Sequence, residues 1–154
     1  MSLVREKFEE VTGVFKGDGI HNERQAIQAR LIGEAILGGQ AFQIHLIAHD
    51  ASGDIVHEEQ TIVSAASEGK QLQMFNFNTS NRVAVLEHVT APEGEYADGQ
   101  TLWQFASKDL TDANRVRMRV TLRRLNSNTL EYNYEQGLPG MVLQPLTSVV
   151  LSRV

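Results

Sequence analysis

The stretch IQARLIGEAILGGQAFQIHLIA, residues 27–48, decides the fold class of this chain. Apolar or small residues take every second position over residues 27–37 and again over residues 42–48. A period of two is typical of β-strands that bury one face. Gly38 and Gly39 lie between the two runs, and because glycine tolerates positive φ they predict a tight hairpin. The stretch therefore predicts two antiparallel strands.

The same alternation extends along most of the chain, in short runs separated by turn-forming residues about every ten positions. Further turns are predicted at residues 50–54, with Gly53 left-handed, and at residues 67–69 and 91–94. Besides the two strands above, the predicted strands are Val11–Gly19, Ile55–Ala65, Gln71–Phe77, Arg82–Thr90, Gln100–Ser107, Arg115–Leu125, Thr129–Glu135 and Val142–Val154. About ten meandering strands favour an antiparallel sheet closed into a barrel, because closure removes unpaired edges. Only Ser2–Glu10 has a helical pattern, so the predicted fold is an all-β barrel with a short N-terminal helix.

Composition narrows the class of protein. The chain has 154 residues, 42% of them hydrophobic, a net charge of −5 and no cysteine. Such a chain is too apolar to be disordered, and we expect one domain over residues 1–154. Disulfides and cysteine-based zinc sites are excluded. The N-terminus lacks an apolar signal region and no apolar run approaches a membrane span, so we expect a cytoplasmic protein without a membrane partner. The mild acidity argues against nucleic acid as a partner.

The beginning and end of the chain resemble a known group of barrels. The predicted helix is followed by Gly13-Val14-Phe15-Lys16-Gly17-Asp18-Gly19, and the last strand carries Arg153. This arrangement resembles calycin-like barrels, namely lipocalin-like, nitrobindin-like and fatty-acid-binding-like proteins. The resemblance implies that Arg153 lies over Phe15 and closes the base of the barrel. It also implies, for nitrobindin-like proteins, a haem-ligating histidine near the C-terminus; no histidine follows His88 here, and we predict no cofactor.

A barrel of this size either fills its interior with side chains or keeps a cavity for a small ligand. Alternation turns mainly apolar and aromatic residues inward, with phenol hydroxyls among them. The residues predicted to line a cavity are Phe42, Leu46, Trp103, Phe105, Met118, Tyr132 and Tyr134. A plain packed core has the same composition as a ligand pocket, so both interpretations stay open.

The charged residues and the histidines indicate a functional site less clearly than the predicted barrel interior does. Alternation places Arg115, Arg117, Arg119 and Arg123 on one strand face, opposite the apolar one, which predicts a solvent-exposed row. In the hairpin after His49, pairing of Asp50 with Asp54 would bring His45, His49 and His57 to one face, while a shift of one residue would separate them. That face alternates with an apolar one, so solvent exposure is expected. We predict no metal site.

The sequence lacks the common signatures of catalysis. It contains no Gly-x-Ser-x-Gly elbow, no phosphate-binding loop and no cysteine nucleophile, and we predict no catalytic residues. The predicted function is therefore non-catalytic binding of a small hydrophobic or amphipathic molecule inside the barrel. The first alternative is a homodimeric interaction module that uses an outer face, for instance the one with His45, Ile47 and His49. The second is an enzyme acting on a small apolar substrate in the same cavity.

Overall fold

The structure is a computed structural model that describes residues 3–65, 71–79, 82–89 and 101–154. It contains a helix, α1 (Leu3–Phe8), a turn of 3-10 helix (Glu9–Val11) and ten strands. The strands are β1 (Gly13–His21), β2 (Gln25–Ile36), β3 (Ala41–His49), β4 (Ile55–Ala65), β5 (Leu72–Asn78), β6 (Arg82–Val89), β7 (Thr101–Ala106), β8 (Arg117–Asn126), β9 (Thr129–Gly137) and β10 (Gln144–Arg153). The predicted all-β class with one short helix is confirmed. Ser2 and the predicted turns at 67–69 and 91–94 lie outside the described residues.

All ten strands form one closed antiparallel barrel. Each strand pairs with the next along the chain, and β1 also pairs with β10 to close the ring. In this closing ladder Phe15 pairs with Arg153 and His21 with Thr147. The predicted closure of the meander is therefore confirmed, although the strand boundaries differ by a few residues; β1, for example, starts at Gly13 rather than Val11.

Two glycines allow β1 and β10 to approach closely. A Cβ atom on Gly17 would lie 1.9 Å from the carbonyl oxygen of Val150, and one on Gly19 would lie 2.0 Å from that of Ser148. No side chain fits at such distances without displacing backbone, so glycine is required at both positions. The Gly17-Asp18-Gly19 sequence thus serves barrel closure.

Helix α1 covers one end of the barrel. Val4 and Phe8 turn inward and are buried, as is Val11 in the following 3-10 turn. The opposite end carries the β1–β2 and β3–β4 loops, residues 22–24 and 50–54. We refer to the two ends as the helix end and the loop end. Over the described ranges, no helix has the length and apolar character needed to cross a bilayer.

The β3–β4 hairpin contains a one-residue irregularity. His49 pairs with Ile55, but the next pair is Ala48 with His57, which leaves Val56 unopposed. Such a bulge reverses the faces of all residues beyond it. Gly53 has a φ of 87°, in agreement with the predicted turn, yet the bulge changes which side chains of β4 enter the barrel.

Candidate functional site

The barrel interior is divided into an aromatic half and a polar half. At the helix end, the ring of Phe8 stacks on Phe42, Trp103 and Phe105, with centroid distances of 5.2, 5.6 and 6.4 Å. Three of the seven predicted lining residues therefore surround the helix plug. The other four, Leu46, Met118, Tyr132 and Tyr134, are also buried but border polar groups.

These polar groups form a connected set towards the loop end, which we call the polar cluster. Its members share burial or partial burial inside the sheet and are linked by hydrogen bonds or ring contacts. They are His21, His57, Glu59, Thr61, Asn76, Asn78, Tyr132, Tyr134 and Thr147. Burying so many polar groups is costly unless they pair with each other or with a ligand.

Glu59 is the centre of the polar cluster. It is only 1% exposed, although it is a carboxylic residue. One carboxyl oxygen accepts a hydrogen bond from Asn76 Nδ2 at 2.8 Å, and the other accepts one from the hydroxyl of Tyr132 at 2.7 Å. Asn76 also donates to Thr61 Oγ1 at 3.0 Å. Donors from β5 and from β9, on the other side of the barrel, thus converge on this carboxyl group.

His57 lies beside Glu59 with an unsatisfied ring nitrogen. Its Nε2 is 3.1 Å from Glu59 Oε2, close enough for electrostatic attraction. The alignment is not that of a hydrogen bond, and the described residues offer this buried nitrogen no other partner. The other ring nitrogen, Nδ1, is 3.4 Å from Thr79 Oγ1. A buried ring nitrogen without a hydrogen bond costs about 1–3 kcal/mol, which a bound polar group would recover.

Two side chains of the polar cluster have shifted pKa values. Burial lowers the pKa of His21 below its usual 6.5, and the nearby His57 lowers it further, while Glu59 acts in the opposite direction. The His21 and His57 rings are 5.0 Å apart, and His21 Nδ1 lies 2.9 Å from Thr147 Oγ1. Burial, followed by the proximity of Glu59, raises the pKa of Tyr132 well above 10.0. Tyr132 therefore remains a protonated donor to Glu59 at neutral pH.

The depressed pKa of His21 predicts loss of stability in acid. Below about pH 6.5 the unfolded chain protonates this histidine more readily than the folded protein does, so the free energy of unfolding falls as the pH decreases from 6.5 towards the folded pKa. His88, whose pKa is lowered by burial and by Lys7, contributes in the same direction. Replacing His21 with glutamine should reduce proton uptake on unfolding by up to about one proton, measured by denaturation at several pH values. The control is the same change at His49 on the outer face; equal effects of both changes would contradict the prediction.

A slot lies in the barrel wall between β6 and β8. β6 pairs with β7 through residues 87–89. Beyond this ladder, a cavity of about 310 Å³ is lined by Val83, Ala84, Val85, Ser107, Val116 and Met118. Met118 is the link to the interior, because its sulfur accepts a hydrogen bond of 3.0 Å from the hydroxyl of Tyr134. One residue of the slot, Met118, thus contacts a member of the polar cluster.

The structure corrects the predicted position of His57. The shift at Val56 turns it into the barrel opposite Ala48, whereas His45 and His49 lie on the outer face. His45 pairs there with Glu58, with 3.0 Å between Nε2 and Oε1. The three histidines therefore do not all lie on one face. In the part of the chain that the structure describes, no group of histidine and carboxylate residues is arranged to hold a metal ion.

The arginine row is also corrected in one position. Arg117 was expected in solvent but is only 6% exposed. Its guanidinium donates to the backbone carbonyls of Leu110 and Leu138, both at 3.2 Å, and to that of Met141. Arg119 does lie on the outer face, where it makes two hydrogen bonds to Glu135. The loops beyond the strand ends fold over Arg117, so its role is structural.

Arg153 and Phe15 lie at the helix end. The guanidinium carbon of Arg153 is 4.6 Å from the ring centroid of Phe15. The same guanidinium donates hydrogen bonds to the backbone carbonyls of Thr12 at 2.6 Å and Glu10 at 3.0 Å. It therefore ties the last strand of the ring to the segment between α1 and β1.

Replacing Arg153 with alanine should lower the free energy of unfolding by about 1–3 kcal/mol, because two charge-assisted hydrogen bonds and the cation–π contact are lost. Chemical denaturation measures this change. Arg115, whose side chain is 83% exposed, provides the control, and its replacement by alanine should cost less than about 0.5 kcal/mol. Equal values for the two variants would contradict a closing role for Arg153.

Sequence reasoning did not find the core of this site. Tyr132 and Tyr134 were predicted inside, but Glu59, His57 and Asn76 were not. The inward residues of β4 do follow a pattern, because they are every second residue counted back from Val63. Ile62, which is one residue away, starts an equally plausible series, so the sequence did not choose between them.

The polar cluster brings hydrogen-bond donors and acceptors together inside the barrel. His57 offers an unsatisfied nitrogen beside Glu59, whose carboxyl oxygens are acceptors. The aromatic half offers an apolar surface next to it. This combination suits an amphipathic molecule.

Comparisons with known proteins agree on architecture. No family model matches the sequence, and no curated protein matches it. Among solved structures, the crystal structure of Rv2717c from M. tuberculosis is similar, with a TM-score of 0.73 and 12% sequence identity. The alignment covers 100% of this chain and 99% of that one. At this identity the similarity establishes a shared barrel fold over the full length.

Proposed function

We propose that this protein is a calycin-like barrel that binds a small amphipathic molecule, whose polar group is held by the polar cluster. The observation that carries the proposal is the orphaned Nε2 of His57, which is buried next to the carboxyl group of Glu59. Native proteins leave few buried polar atoms unpaired, and such an atom often marks the place of a water molecule or a ligand.

The slot between β6 and β8 supports this proposal. Its volume of about 310 Å³ lies at the lower end of the range for ligand pockets. Met118 forms its inner wall, and an unbranched thioether side chain changes rotamer more easily than a branched one. A ligand entering there would displace Met118 from Tyr134 and reach the polar cluster, while its apolar part would stay against the valines of the slot.

The test is a titration of isotope-labelled protein with decanol, followed by nuclear magnetic resonance. The side-chain amides of Asn76 and Asn78 lie in the polar cluster and should shift on binding. Replacing His57 with phenylalanine should weaken decanol binding about tenfold, since a buried hydrogen bond is lost. The same replacement at His45, on the outer face, is the matched control. Absence of any shift at the two amides on saturation would refute the proposal.

A second candidate function, self-association, is favoured by one apolar surface. Phe77 is 44% exposed on the outer face of β5, and its partner on β6, Val83, is more exposed still, as is Val85. Contiguous apolar side chains on an outer face are typical of interfaces. If a second copy binds there, sedimentation velocity will show a dimer whose formation Val83→Glu abolishes. A concentration-independent monomer would reject this candidate. A homodimer interface on the outer face with His45, Ile47 and His49 stays a prediction.

A further inference from the structure

The charges around Glu59 restrict the ligands that the polar cluster accepts. The polar cluster contains one carboxylic residue and neither lysine nor arginine. Both hydrogen bonds to Glu59 come from neutral donors, Asn76 and Tyr132. A second carboxylate placed beside Glu59 would therefore meet a like charge in a buried site, which disfavours its binding.

The two free hydrogen-bonding positions have opposite requirements. The nitrogen Nε2 of His57 lies 3.1 Å from a carboxyl oxygen, so electrostatics favour the tautomer with the proton on this nitrogen. Its alignment with that oxygen is not that of a hydrogen bond, so among the described residues this N–H group has no hydrogen-bonded acceptor. The carboxyl oxygen of Glu59 next to it retains lone pairs and accepts further donors.

We propose that the polar cluster selects a neutral hydroxyl head group, which accepts a hydrogen bond from His57 and donates one to Glu59, and that it rejects carboxylates. This inference rests on the proposed function, because it concerns the same site. A hydroxyl is both donor and acceptor, so it satisfies both positions. A carboxylate only accepts and is repelled by Glu59.

The selectivity is tested with two probes of equal chain length, decanol and decanoate. We expect wild-type protein to bind decanol at least about tenfold more tightly than decanoate, measured by titration with the Asn76 amide as the local reporter. This comparison uses only the wild-type protein, so it does not depend on the folding of any variant. Decanoate binding as tightly as decanol would overturn the inference while leaving the proposed function intact.

A variant then tests the cause. Glu59→Gln keeps the shape of the side chain and removes its charge, so the affinity for decanoate should rise at least about tenfold. Glu58→Gln is the matched control, since Glu58 is the next residue but lies on the outer face with His45, and it should leave the ratio of affinities unchanged. An unchanged ratio in Glu59→Gln would also overturn the inference. If neither of the probes shifts the Asn76 amide, the proposed function itself fails, and the inference with it.

Discussion

Replacing Glu59 with alanine is expected to lower the free energy of unfolding by about 3–5 kcal/mol, because each buried group left without its partner costs about 1–3 kcal/mol. The carboxyl group accepts hydrogen bonds from Asn76 and Tyr132 and lies beside His57. Alanine would leave these groups buried without their acceptor and would also create a void. Urea denaturation followed by fluorescence of Trp103, the single tryptophan of the chain, measures the change.

Glu58 provides the control for this experiment. It precedes Glu59 in β4, faces outward and pairs with His45. Glu58→Ala should therefore cost less than about 1 kcal/mol, as is typical of exposed ion pairs. A loss below about 1 kcal/mol for Glu59→Ala as well would show that the polar cluster does not hold the barrel together as the contacts indicate.

Replacing Phe8 with alanine should also destabilise the protein by about 3–5 kcal/mol. Its ring is fully buried and stacks on Phe42, Trp103 and Phe105, so removing it leaves a cavity between three aromatic rings. Because water can enter from the helix end, the emission of Trp103 should shift to longer wavelength in the folded variant. Denaturation and the emission spectrum together check the prediction.

Phe77 allows the same substitution on the outer surface. It is 44% exposed on β5, so Phe77→Ala should change the free energy of unfolding by less than about 1 kcal/mol and leave Trp103 emission unchanged. If Phe8→Ala behaves like Phe77→Ala, helix α1 is not a structural plug, and the helix end of the barrel is held by the strands alone.

The architecture was predictable because most strands show one clear period. In residues 27–48 the apolar residues share one face, and the glycines between the strands adopt the positive φ that a tight connection requires. Such a pattern gives strand order directly, since short hairpins join neighbours. Closure followed from the need to pair both edges.

The centre of the site was not predictable because β4 carries apolar and polar residues on both faces. Val63 points inward while Ile62 lies on the outside, so hydrophobicity does not fix the register. The register is set by the unopposed Val56, a bulge that the turn residues 50–54 do not reveal. A shift of one residue decides whether Glu59 is a solvated charge or the centre of a buried network.

The predicted solvent exposure of Arg117 was wrong for a different reason. Alternation placed it outside correctly, but the loops that hold Leu110 and Leu138 supply the carbonyl groups that bury it. Strand periodicity describes the two faces of a sheet and contains no information about loops folding over one of them. Exposure of a strand residue therefore cannot be derived from its face alone.

The pairing of β1 with β10 also determines how late the barrel can close while the chain is being synthesised. The β1–β10 ladder joins residues 15–21 to residues 147–153, so the first strand of the ring waits for its second neighbour until nearly the whole barrel has been made. Pairing across such a long separation in sequence is slow to form. Until then β1 presents an open edge that can pair with another chain. The nascent chain is therefore most exposed to aggregation just before β10 leaves the ribosome, and chaperone binding would matter most at that stage.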